Sequence, residues 1–159
     1  MTRALHPEPV ALLTATLARA RRTAPARPRA AILISRSGRV IAAPEVAGAA
    51  PSACAERMVV YEARMQRVSG WTLLRTAAAR GPSGPPCGAC LQVLFEFAPD
   101  LNLEWTGPGR VPERSSVRAL LPGAFGPSAL AEPASSTHRR SSLAGASRGR
   151  RSATKRGTA

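Results

Sequence analysis

Ser52-Ala53-Cys54-Ala55-Glu56-Arg57 and, about thirty residues later, Pro86-Cys87-Gly88-Ala89-Cys90 hold all three cysteines of this 159-residue chain. Ser52 reads as the N-cap of a helix from about Ala53 to Val68, and Gly70 stops it. A second helix begins near Cys87. Both cysteine motifs therefore land at helix starts. Helix N-termini present free backbone N–H groups and partial positive charge, which favour thiolate over thiol. Cys87 and Cys90, three residues apart, share a helix face. Three thiolates with no fourth protein ligand leave one zinc position open, as catalytic zinc sites require. His6 and His138 lie near the termini, far from either motif, and read as having no specific role.

Glu56 follows Cys54 by two residues, so on a helix it points away from the thiolate. It suits a proton carrier beside the metal better than a ligand. Three thiolates outweigh the charge of one zinc ion. Arg57, with its fork of donors, is placed to offset them. A closed structural zinc site would need a further ligand. A redox C-x-x-C pair would leave Cys54 and Glu56 unexplained.

Outward from these motifs, Val10 to Arg22 has helical spacing of Val10, Leu13, Leu17 and Ala20, and Pro25 ends it. Ala30–Ile34 reads as a buried strand and Val40–Ala42 as its hairpin partner across Arg36-Ser37-Gly38-Arg39. Met58, Val59, Ala63 and Met65 give the helix after Cys54 an apolar face. Trp71–Ala79 reads as a strand. Leu101–Trp105 alternates as a half-exposed strand should. Val117–Leu121 forms a single helical turn. Trp71 and Trp105 read as core or subunit contacts. The expected order is helix, two strands, helix, strand, helix, strand, with no internal repeat.

The length allows one domain, placed at 1–130, followed by a disordered basic tail at 131–159. The chain has a net charge of +14. The tail holds seven basic residues and one acid but no aromatic residue for stacking on bases, so nucleic acid is not an expected partner. No apolar run is long enough to span a bilayer, and the charge pattern near the N-terminus does not fit a secretory signal. An odd number of cysteines argues against a disulfide framework and for a reducing, cytoplasmic setting.

Together the motifs match the zinc-deaminase pattern of Cys-x-Glu followed by Pro-Cys-x-x-Cys. With Gln92-Val93-Leu94-Phe95-Glu96-Phe97 and Leu120-Leu121-Pro122-Gly123-Ala124-Phe125-Gly126-Pro127, they resemble the cytidine deaminase family in its short homotetrameric form. Blasticidin-type deaminases are relatives. The resemblance spans about Val10 to Leu130. It implies an α/β three-layer sandwich, with a mixed central sheet and helices on both faces. It implies Zn2+ held by Cys54, Cys87 and Cys90, with Glu56 catalytic and Arg57 neutralising the thiolates. It also implies substrate contacts from Glu45, Ala55 and Phe125, the last reaching a neighbouring subunit of a homotetramer. The implied reaction is hydrolysis of cytidine or deoxycytidine to the uracil nucleoside and ammonia, within pyrimidine salvage.

Three positions depart from the family pattern. Ala43 replaces an asparagine, Arg27 an aromatic residue and Leu91 an arginine. They leave two alternatives open: a modified cytosine nucleoside such as blasticidin S as substrate, or a catalytically impaired zinc protein whose tail binds nucleic acid.

Overall fold

The computed structural model describes residues 7–48 and 52–126. The basic tail at 131–159 and both histidines lie outside the described residues. Helix α1 spans Pro7–Thr23, strand β1 Arg29–Ser35 and strand β2 Val40–Pro44. They are followed by α2 (Ala55–Met65), β3 (Trp71–Ala78), α3 (Gly88–Phe97) and β4 (Asn102–Thr106). A 3-10 turn at Pro108–Arg110, strand β5 (Pro112–Ser116) and the short helix α4 (Val117–Leu120) complete it.

The five strands form one sheet in the order β2-β1-β3-β4-β5. β1 pairs antiparallel with both β2 and β3. β3 and β4 run parallel, so the chain must cross over between them, and α3 is that crossover. β1 lies inside the sheet and is covered on both faces. Ala30, Ala31 and Ile32 are fully buried, which explains its unbroken apolar run. Alternation along β1 divides the core. Ala31 and Leu33 face a cluster with Val59, Val60 and Ala63 of α2 and Leu91 and Leu94 of α3. Ala30 and Ile32 pack on the other side with Leu13 and Leu17 of α1. The mixed sheet with helices on both faces is the expected architecture.

Strand β5 is absent from the sequence reading. Pro112-Glu113-Arg114-Ser115-Ser116 has no apolar residue, and a proline opens it. It is an edge strand, where proline is tolerated because one row of N–H groups needs no partner. Its place is set by pairing with β4, Glu104 opposite Arg114 and Trp105 opposite Glu113. That pairing also corrects the half-exposed reading of β4. Leu103, Glu104 and Trp105 are all buried. Glu104 forms ion pairs with Arg75 of β3 and, at 2.9 Å, with Arg114 of β5. Trp105 donates its indole N–H to Glu113 at 2.7 Å.

Two further readings change. α2 is capped by Cys54, not Ser52, and ends at Met65, well before Gly70. Met65 is 73% exposed and belongs to no apolar face, because the helix frays there into a turn in which Arg67 has a positive φ of 54°.

Candidate metal centre and active site

α2 and α3 start on the same side of the sheet, each with a cysteine at its N-cap. Cys54 and Cys87 hold extended backbone angles (φ −58°, ψ 145° and φ −69°, ψ 162°), and each carbonyl accepts the first helical hydrogen bond. Neither cap is closed by a side-chain hydrogen bond, so both thiols are left for other work. Cys90 follows in the first turn of α3. The three sulfurs lie within 4.8 Å of one another, and Cys87 and Cys90 are 3.5 Å apart. A zinc ion with bonds of about 2.3 Å in tetrahedral geometry places its sulfurs about 3.8 Å apart. The cluster fits such an ion, and its three donors leave a fourth position. It does not fit a disulfide, whose sulfurs sit about 2.05 Å apart.

The surroundings shape the thiols differently. Burial is the largest influence on Cys90 and, with Glu56, Cys54 and Cys87 nearby, pushes its thiol well above the ordinary range. Burial also raises Cys87, but hydrogen bonds from the Cys90 and Ala89 N–H groups and the neighbouring thiols bring it below its usual value. Arg57 lies over this cluster. Burial pulls its guanidinium pKa down, yet the hydrogen bond to Cys54 and the charges of all three cysteines leave it raised. Its Nη2 also donates to the Ser52 carbonyl at 3.1 Å.

Glu56 is 1% exposed. Its partner is Arg29, the first residue of β1, whose Nη2 donates to Glu56 Oε1 at 2.8 Å. Arg29 has the same strand parity as Ala31 and Leu33, so its side chain rises on the α2 face. Glu45, just after β2, belongs to the same charge group. Burial is the main cause that raises its carboxyl pKa, Glu56 adds to the rise, and Arg29 and Arg27 oppose it. Its carbonyl is held by the Thr23 hydroxyl at 2.5 Å. Ala55 is buried in the first turn of α2.

Phe125 stands apart from these groups in its contacts. Its side chain is 55% exposed. Its backbone is clamped to α3 by Gln92, which donates to the Phe125 carbonyl at 2.6 Å and accepts from the Phe125 N–H at 3.2 Å. Gly126 passes so close to Phe95 that a Cβ there would sit 2.9 Å from the ring.

Solved cytidine deaminases share this arrangement of strands and helices. The enzyme from Burkholderia pseudomallei matches with a TM-score of 0.62 and 27% identity, over 79% of this chain and all of that one. The enzyme from Mycobacterium tuberculosis matches with a TM-score of 0.61 and 27% identity, over 73% of this chain and 93% of that one. The one from Bacillus anthracis, at 20% identity, gives a TM-score of 0.56 over 74% and 89% of the two chains. The fold is that of the cytidine deaminases. No family model matches the chain.

On this cytidine deaminase fold, the three departures have definite places. Leu91 is buried among α2 and α3 core residues, so an apolar side chain suits its surroundings. Ala43 is 5% exposed on the α2 face of β2. Arg27 is exposed and lines a small cavity beside Arg29. Sequence reasoning missed Arg29 as the partner of Glu56 and Gln92 as the clamp on Phe125. Only Arg29 had a signal: a charged residue in phase with the α2-facing alanine and leucine of a buried strand.

Proposed function

We propose that this protein is a zinc-dependent hydrolytic deaminase of a cytosine nucleoside, cytidine or deoxycytidine, giving the uracil nucleoside and ammonia. The observation that carries the reading is a cluster of three cysteine sulfurs at two helix N-termini, with the buried carboxylate of Glu56 two residues from one of them. Cys54, Cys87 and Cys90 would hold zinc, which when bound supplies a Lewis acid that lowers the pKa of water toward about 7.

The chain's own residues do the rest. Glu56 takes a proton from water as its oxygen bonds to C4 of the base, and delivers it to ring N3. It then takes the proton of the new C4 hydroxyl and gives it to the amino group, so that the C4=O bond forms as the C4–N bond breaks and ammonia leaves. Arg29 donates to Oε1 of the carboxylate, which supports a fixed orientation for this proton carrier. Arg57 offsets the negative charge of the thiolates. Ala55 presents its backbone to the base, and Glu45 meets the sugar. Phe125, exposed and anchored by Gln92, reaches a neighbouring subunit in a homotetramer. The thiols suit a reducing cytoplasm.

Zinc-loaded protein is incubated with cytidine, deoxycytidine and blasticidin S while the loss of cytosine absorbance is followed. At least one should be consumed with release of ammonia. Glu56→Gln should lose roughly 10²- to 10⁴-fold in kcat at unchanged zinc content. Full activity in that variant would remove Glu56 from the chemistry.

A further inference from the structure

We propose that the cavity beside the metal centre is an anion-binding subsite, so that the substrate carries a phosphate ester or a carboxylate in addition to its aminopyrimidine. This rests on the deaminase reading above and narrows its substrate class. The cavity measures about 80 Å³ and is lined by Arg27, Arg29 and Arg80, with Pro28, Ala78 and Pro82 among the other walls. At about 30 Å³ per water, it has room for two or three waters or a single oxyanion group.

The strand register builds it. β1 and β3 pair antiparallel with Arg29 opposite Ala78, and the Ala79 N–H continues the ladder to the Pro28 carbonyl at 2.9 Å. Beyond the paired strands, Arg27 and Arg80 line the same cavity. Like charges gathered at one cavity repel unless a counter-charge joins them. Among the described residues neither has an ion pair or a side-chain hydrogen bond. Acidic groups nearby do not cancel the charge. Glu56 is engaged by Arg29, and Glu45 faces Arg27 and Arg29. The cavity walls themselves hold three arginines and no carboxylate.

Guanidinium groups recognise carboxylate and phosphate through paired N–H donors, so two facing arginines form a seat for such a group. Arg29 joins the two places: it walls the cavity and touches Glu56. An anion seated there lies one side chain away from the proton carrier. Arg27 supplies a cation where the resembling family packs an aromatic residue on the base.

The test compares cytidine, cytidine 5′-monophosphate and cytidine 5′-carboxylate as substrates of the zinc-loaded full chain. At least one anionic substrate should exceed cytidine tenfold or more in kcat/KM, mainly through KM. The phosphate and carboxylate arms tell which group is preferred. The preference should shrink in Arg80→Ala, fall to near one in Arg27→Ala/Arg80→Ala, and weaken between 50 mM and about 500 mM salt as charge pairing is screened. Both side chains are exposed, so these changes leave the core intact. Equal or better use of cytidine, or a preference unmoved by the substitutions, overturns the proposal. If no aminopyrimidine is consumed, the deaminase reading fails by itself. The subsite is then judged by calorimetry with uridine 5′-monophosphate against uridine, and equal binding of the two overturns it.

Discussion

Replacing Arg29 with alanine removes the only hydrogen-bonding partner of the Glu56 carboxylate among the described residues. The geometry sets the expected size. Nη2 and Oε1 are 2.8 Å apart, and the side chains are 18% and 1% exposed. With charge centres about 4 Å apart and an effective dielectric constant near 20, the attraction is about 4 kcal/mol. Removing one member of a buried pair typically costs about 3–5 kcal/mol, because the other charge is left without a partner. For a folded unit of this size, about 4 kcal/mol corresponds to a fall in Tm of roughly 10–20 °C. Urea unfolding followed by circular dichroism at fixed excess zinc measures it. The zinc level must be constant because bound metal adds stability by mass action. Arg29→Ala/Glu56→Gln should be more stable than Arg29→Ala, because the second change removes the unpaired charge. Arg29→Lys, which keeps the cation, should lose less than Arg29→Ala. The reasoning is refuted if Arg29→Ala unfolds within about 0.5 kcal/mol of the wild type. It is refuted equally if the double variant is no more stable than the single one.

Other tests address the rest of the site. Burial pushes the Cys90 thiol up, so a zinc ion bound there would displace its proton. Titration with zinc in two buffers of different ionisation heat should show proton release, with affinity falling as pH is lowered. Binding with no proton uptake by the buffer contradicts this. Glu45 has a carboxyl pKa raised above its ordinary 4.5, chiefly by burial. Its protonated form is the one the fold favours, so the stability it contributes is complete below about pH 4.5 and is lost as pH rises through its folded pKa. Glu45→Gln should therefore gain on the wild type in thermal melts as pH rises from 4 to 7, and a gain in the opposite direction rejects the assignment. Gln92→Ala removes both hydrogen bonds to the Phe125 backbone, a loss of about 1–2 kcal/mol at most for a pair at the surface. If Phe125 docks on another subunit, sedimentation should show a tetramer in the wild type and a shift toward smaller species in this variant. A monomeric wild type removes that role.

The composition and spacing of the chain already marked the three-cysteine cluster that could hold a metal. Cysteine can be counted, its three-residue spacing is a helical period, and a proline before Cys87 marks where the helix begins. These are local properties, and local properties survive in one dimension. The buried run Ala30–Ile34 and its hairpin were legible for the same reason. Tertiary structure decided what depends on pairing across the sheet. β5 carries no apolar pattern and exists because β4 offers it an edge. Glu104 in β4 breaks the alternation of a half-exposed strand, and it is buried because two arginines from neighbouring strands neutralise it. Arg29 meets Glu56 from 27 residues away, and Arg27 and Arg80 come to one cavity only because the chain ends of β1 and β3 lie side by side. The cysteine cluster and the Glu56 beside it were therefore written in short motifs. The ion pairs around Glu56 and Glu104 were assembled by long-range contacts, which sequence spacing does not control.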